Sequence, residues 1–224
     1  MNFKNIKYLF FLLMTVFVLS SCSETNEDES KAEYANWQER NEEYFNKLFT
    51  AAQSDCKILS WSLQHQTGNS DGNGNVLTPT YKINKDYIVV EKLTNVYDEL
   101  SGAPQQLTAK DSVMYTDSVK VAYQGRLMPT TEHPQGLMFD GSFEGTSYNF
   151  TTALSSKFMA GGLVDGFTTA LMSMRLGDHW YVYMPADLAY GSSTSKSGIP
   201  AYSSLRFEIV LLGVKTGKGA WRSR

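Results

Sequence analysis

Two cysteines in 224 residues are too few for the disulfide framework on which small exported domains rely. The three histidines, His65, His133 and His179, lack metal-ligand spacing, and no G-x-S-x-G turn or Cys/His pair supplies a nucleophile. Gly191 to Ser197 has the outline of a phosphate loop, but Ser195 stands where a glycine is required before Lys196. Asp71, Asn73 and Asn75 fail as a calcium loop, because Val76 takes the place of the turn glycine and Lys82 that of the bidentate glutamate. Neither a metal nor a cofactor is expected. With 20 basic against 23 acidic residues, net charge −3, there is no basic footprint for nucleic acid. No apolar run reaches the roughly 20 residues of a membrane-spanning helix.

What is present begins at the N-terminus. Lys4 and Lys7 precede an apolar run, Tyr8 to Leu19, which ends in small residues and Cys22, the layout of a secretory signal. Leu19-Ser20-Ser21-Cys22 resembles the lipobox of bacterial lipoproteins, which implies cleavage after residue 21 and a diacylglyceryl group on the Cys22 sulfur. Only Cys56 would then remain, so no disulfide could form within the mature chain, and the fold must stand on packing. An aromatic content of 13% suits that task. Ser23 to Lys31 holds Glu24, Glu27, Asp28 and Glu29 without one apolar side chain, a composition that cannot order itself. Residues 22–31 are expected to be a tether, either a solvated spacer or, by resemblance to Bacteroidetes lipoproteins, a surface-export signal. The expected location is the cell envelope, as an outer membrane lipoprotein on its periplasmic or surface face.

From Ser30 the pattern turns helical. Ser30 and Glu33 stand in capping-box relation, and Tyr34, Trp37, Tyr44, Phe45, Leu48, Phe49 and Ala52 recur at helical spacing. Such an amphipathic stripe docks on a core, or makes a homodimer or client-holding surface. Gly68 to Asn75 reads as a flexible loop, and Tyr87 to Leu93, Val113 to Leu127, Trp180 to Met184 and Leu205 to Val214 as strands. Gly166 to Met174 reads as one short helix. The expected class is α+β: an antiparallel curved sheet wrapped around a short helix, preceded by an N-terminal amphipathic helix. The expected divisions are a signal peptide (1–21), the tether (22–31), a helical segment with loop and leading strand (32–110), the main domain (111–216) and a tail (217–224).

Three blocks sharpen that reading. Val119-Lys120-Val121-Ala122-Tyr123-Gln124-Gly125-Arg126-Leu127 is followed by Phe139-Asp140-Gly141-Ser142. Leu163-Val164-Asp165-Gly166-Phe167 continues to Met174, Gly177 and Asp178. Met184-Pro185-Ala186-Asp187-Leu188-Ala189-Tyr190-Gly191 leads to Ile199-Pro200 and Leu205-Arg206-Phe207-Glu208-Ile209. Their order and content resemble the FKBP-type peptidyl-prolyl isomerases over about Ser112 to Val214, far stronger than any single short motif.

The resemblance implies that the chain twists Xaa-Pro bonds without nucleophile or metal. A dry aromatic cup favours the twisted, less delocalised amide. It implies a cup of Tyr123, Phe139, Leu163, Val164, Phe167, Ile199 and Phe207, with Phe167 in place of the family's tryptophan floor. Asp140 would orient the site, and the Tyr190 hydroxyl would hold a substrate carbonyl. Proline-containing exported polypeptides are the implied substrates of such a folding helper. A non-enzymatic binding module in an envelope complex would use the same cup. The family's Phe-x-Phe strand falls either on Ser156-Lys157-Phe158, with an insertion around Phe143 to Leu154, or on Tyr148 and Phe150. Ser192 to Gly198 is polar where many active members carry a hydrophobic or histidine-bearing flap, and Pro129 to Gly136 is longer than usual.

Cys22→Ala is expected to abolish lipid attachment, because the thioether can form only at that sulfur. Metabolic labelling with a fatty-acid analogue checks it, and equal labelling of variant and parent would overturn the lipoprotein reading.

Overall fold

Side-chain alternation along the chain is resolved into strands wherever one face can be buried. In the computed structural model residues 33–65, 80–102, 112–193 and 198–223 are described. Among them run strands β1 (Lys57–Leu59), β2 (Tyr87–Lys92), β3 (Ser118–Leu127), β4 (Met138–Gly141), β5 (Ser156–Met159), β6 (His179–Met184) and β7 (Leu205–Lys215). The helices are α1 (Trp37–Ala51), α2 (Trp61–Gln64), α3 (Ile83–Asp86), α4 (Val96–Ser101) and α5 (Asp165–Ser173).

All strand pairs are antiparallel in one sheet of order β1-β2-β6-β7-β3-β4, with β5 beside β3. β3 lies along β7 from Ser118 opposite Lys215 to Leu127 opposite Leu205, with a register shift between Lys120 and Val121. Its other edge is shared: β5 pairs with Ser118 to Val121, and β4 with Gln124 to Arg126. α5 packs on one face, where Gly166 allows a close approach. A Cβ there would stand 2.8 Å from Met184 Sδ and 2.9 Å from Met184 Cβ. Val121, Leu171, Val182, Ile209 and Leu211 are fully buried in the resulting core. The α+β class expected from periodicity is therefore the one observed.

The described residues from Asn36 onward belong to one compact unit, and residues 33–35 fall outside it. The leading segment thus supplies β1 and β2 to the same sheet as the later strands. The second expected strand begins at Ser118 rather than Val113, because Asp117 turns the chain first. Its N–H donates to the Met114 carbonyl at 2.9 Å, and its carboxylate accepts the Met114 N–H at 3.0 Å, an Asx-type alternative to strand pairing. The helix expected from Ser30 starts at Trp37, since Asn36 is left-handed at φ 49°, a conformation that asparagine tolerates better than most residues. Ser30, the tether, Cys22 and the Gly68 to Asn75 loop lie outside the described residues.

The aromatic stripe of α1 finds its partners within this unit. Trp37, Asn41 and Phe45, one helical turn apart, are its buried residues. Trp37 Nε1 donates to Ser203 Oγ at 2.9 Å. Asn41 Oδ1 accepts the Ser204 N–H at 2.7 Å, while its Nδ2 donates to the Trp37 carbonyl at 2.7 Å. Phe49 sits edge-on to Tyr87 at 5.4 Å and under the Lys57 ammonium at 4.6 Å. The opposite side of the helix is polar and exposed, with Glu39, Glu42, Glu43 and Lys47.

Phe45→Ala is expected to destabilise the fold by about 3–5 kcal/mol, the usual range for truncating a buried aromatic. Urea unfolding measures it, and a change below about 1 kcal/mol would mean that α1 is not part of the core.

Candidate active site

β3 turns Tyr123 and Gly125 to one face, and the register sets Phe207 opposite Gly125. A side chain at Gly125 is excluded, since a Cβ would stand 2.6 Å from both Phe139 Cζ and Phe207 Cε1. The space left by glycine is filled by rings. Phe139 meets Phe207 at 5.6 Å and 88°, Phe207 meets Phe167 at 5.1 Å and 79°, Phe167 meets Tyr123 at 6.1 Å and 85°, and Tyr123 meets Phe158 at 5.6 Å and 71°. These are edge-to-face contacts, each worth about 0.5–1.5 kcal/mol beyond area burial. They hold the rings as one rigid wall.

That wall bounds a cleft of about 180 Å³ lined by Tyr123, Asp140, Phe158, Leu163, Val164, Phe167, Tyr190 and Phe207. Phe167 and Phe207 are buried, and the other rings are half-buried. Polar groups stand at the edge of the cleft. Asp140 Oδ1 accepts the Gly141 N–H at 2.9 Å, and the carboxylate is hydrogen-bonded by the Tyr123 hydroxyl. Burial first, and then the Asp140 charge, push the Tyr123 phenol up to about 12, so it stays a neutral donor throughout physiological pH. Tyr190 follows a single 3-10 turn, Ala186–Leu188. It is fixed by the next residue, since the Gly191 N–H donates to the Ala186 carbonyl at 2.8 Å and the Gly191 carbonyl accepts the Tyr202 N–H at 2.7 Å. Such an apolar pocket with a few fixed polar groups binds and orients, and its lining residues include no serine, threonine, cysteine or histidine.

Of the residues singled out in the sequence, Tyr123, Asp140, Leu163, Val164, Phe167, Tyr190 and Phe207 converge on this cleft. Phe139 stands one ring behind it, edge-on to Phe207. Ile199 is buried but is not among the cleft-lining residues, and Cys22 lies outside the described residues. Phe158 is the member that sequence reasoning left undecided. β5 pairs it with Val119 and turns its ring toward Tyr123, so the Phe-x-Phe strand falls on Ser156-Lys157-Phe158. Tyr148 instead packs against Phe143 at 5.9 Å and His179 at 5.6 Å, and Phe150 is exposed.

The raised Tyr123 phenol makes a pH prediction. Folded protein keeps that proton from pH 10 to about 12, whereas unfolded chain has lost it, so stability is unaffected below pH 10 and falls through that window. Tyr123→Phe is expected to lose stability less steeply than the parent between pH 10 and 12. Denaturant melts at each pH check it; identical slopes would mean an unshifted phenol.

The family model described as FKBP-type peptidyl-prolyl cis-trans isomerase matches residues 109–212. The macrophage infectivity potentiator of Trypanosoma cruzi is 36% identical over 101 residues, covering 45% of this chain and 45% of that protein. The FKBP-type 22 kDa peptidyl-prolyl cis-trans isomerase of Escherichia coli (strain K12) is 32% identical over 99 residues, covering 44% and 42%. FK506-binding protein 1A of Neurospora crassa is 33% identical over 100 residues, covering 44% of this chain and 73% of that protein. The chain thus spans less than half the length of the first two and nearly three quarters of the third. A cleft built from the family's own blocks and a third relative covered over most of its length lead to one conclusion: the chain belongs to the FKBP-type peptidyl-prolyl cis-trans isomerases.

Proposed function

We propose that this chain is a peptidyl-prolyl cis-trans isomerase that helps exported proteins fold while a lipid on Cys22 holds it at the outer membrane. The observation that carries the activity is the aromatic cleft, with a neutral phenol and a fixed carboxylate at its edge. Rotation about a peptide bond must break amide resonance, a barrier of about 18–20 kcal/mol. A proline ring seated against Phe167, Tyr123 and Phe207 leaves its amide in a water-poor setting, which favours the twisted, less polar state over the planar one. The Tyr190 hydroxyl donates to the substrate carbonyl, and the bond between Tyr123 and Asp140 fixes the cleft's polar side. Each group acts by binding the transition state better than the ground state. The export and anchoring part of the reading is supported by the charged, apolar and small-residue order of Met1 to Cys22.

Tyr190→Phe keeps the ring and removes one hydrogen bond, so kcat/KM on an Xaa-Pro peptide is expected to fall roughly two- to tenfold, about 0.5–1.5 kcal/mol. Phe167→Ala is expected to lower it further, with a melting curve to separate lost catalysis from lost stability. Folded wild-type protein that is no faster than uncatalysed exchange on any Xaa-Pro peptide would overturn the enzymatic reading.

A further inference from the structure

Beside the aromatic cleft lies a larger groove, of about 410 Å³. Leu163 lines both, so the two adjoin at that residue. The groove's other walls come from α2, from the turn before β3, and from α5, the helix that also carries Phe167. α2 supplies Trp61 and its C-cap His65, whose ring centroids lie 3.6 Å apart at a tilt of 35°, and His65 is fixed by a 2.9 Å bond between Nδ1 and the Trp61 carbonyl. The turn before β3 supplies Tyr115, and α5 supplies Asp165 and Thr168. Trp61 and His65 precede the region that the family model covers.

Each wall is built in place. Ser60 caps α2 by accepting the Leu63 N–H, and its hydroxyl donates to Asp165 Oδ2 at 2.7 Å. The Trp61 N–H donates to Thr169 Oγ1 at 2.8 Å, so α2 is latched to α5 at two points. On the other side the Tyr115 carbonyl accepts the Gly161 N–H at 2.9 Å. The Tyr115 ring lies over Gly161, within 2.4–2.7 Å of where a Cβ would be. Only glycine permits that position, and it leaves Tyr115 48% exposed beside the groove.

We propose that this groove is an extended substrate subsite, which takes the stretch of polypeptide flanking the isomerised proline and selects an aromatic side chain there. The proposal rests on the reading of the cup as the proline site. A chain leaving the cup past Leu163 enters the groove directly, and at about 3.3 Å per extended residue the selected side chain lies roughly two to four residues from the proline. Trp61 and Tyr115 offer edges and faces to an incoming ring. Asp165 is held by Ser60, but a carboxylate has about four lone-pair sites and can also accept a backbone N–H of the peptide. Trp61 and His65, which share in setting the preference, lie in a segment that relatives matched over the isomerase region alone need not share.

The test uses the full chain and three peptides: acetyl-Ala-Leu-Pro-Ala-amide, and two longer ones with a tryptophan three residues before or three residues after the proline. Exchange spectroscopy gives kcat/KM, and anisotropy of dye-labelled copies gives Kd. At least one long peptide is expected to be favoured roughly three- to tenfold over the short one. Trp61→Ala and Tyr115→Ala are expected to reduce that ratio to about one while short-peptide turnover stays within about twofold. If Trp61→Ala does not fold, the half-exposed Tyr115 still decides between the outcomes. Equal handling of all three peptides by the parent, or an unchanged ratio in Tyr115→Ala, would overturn the groove. If the parent catalyses nothing, the isomerase reading fails, and the same ratios measured as Kd still decide the groove.

Discussion

The ladder between β3 and β7 is the constraint from which the rest of this structure follows. Ten positions of β3 face β7 across it, and the period of two then sorts every side chain of both strands to one face or the other. Tyr123, Gly125 and Phe207 fall on the face that carries α5, so the cup is a consequence of register. A slip by one residue would exchange Tyr123 for Gln124 and Phe207 for Glu208, replacing an aromatic wall with a buried amide and a carboxylate. Gly125 is what makes the register serviceable, because Phe139 and Phe207 share the volume its missing side chain leaves.

The opposite face shows how the same ladder accommodates polar residues. Glu208 is buried, yet its Oε1 accepts the Tyr148 N–H at 2.8 Å and meets His179 Nε2 at 2.8 Å. Gln124 donates to the Phe143 and Gly145 carbonyls at 3.2 Å, and Arg126 reaches the Gly136 and Gly145 carbonyls at 2.9 Å. These bonds fasten the two excursions that leave β4, before and after it, to the back of the sheet. An unpaired buried carboxylate or amide would be costly; here each instead anchors irregular backbone that has no ladder of its own. The long segments around the cleft are thereby held by the residues that alternate with the cup.

The leading segment couples to the site from two directions. α1 grips Ser203 and Ser204, just past Ile199-Pro200, and so braces the return of the chain from Tyr190 into β7. α2 grips the first turn of α5 through Ser60 and Asp165, the helix that carries Phe167. Neither contact involves the cup itself. Both fix elements that do, which is why residues outside the family match belong to the same compact unit as those within it.

By itself the sequence determined the α+β class, the spans of β2, β6, β7 and α5 to within about a residue, and seven of the eight residues that line the cleft, while it also placed Phe139 and Ile199 there, which do not line it. Those features are local in origin: alternation, a short helical period, and ordered blocks of a known family survive being read one segment at a time. The start of β3 was not legible, because a bond donated by the Met114 N–H to the Asp117 carboxylate competes with strand pairing and leaves no trace in periodicity. Neither was the choice between Phe158 and Tyr148, which alternate equally well. Only the tertiary structure decided it, since β5 has the free half of the β3 edge to pair with, while the Tyr148 N–H is taken by Glu208 on the far face. The groove of Trp61 and Tyr115 was likewise invisible, for its walls lie about fifty residues apart and meet only because Ser60 and Gly161 allow two turns to close on α5.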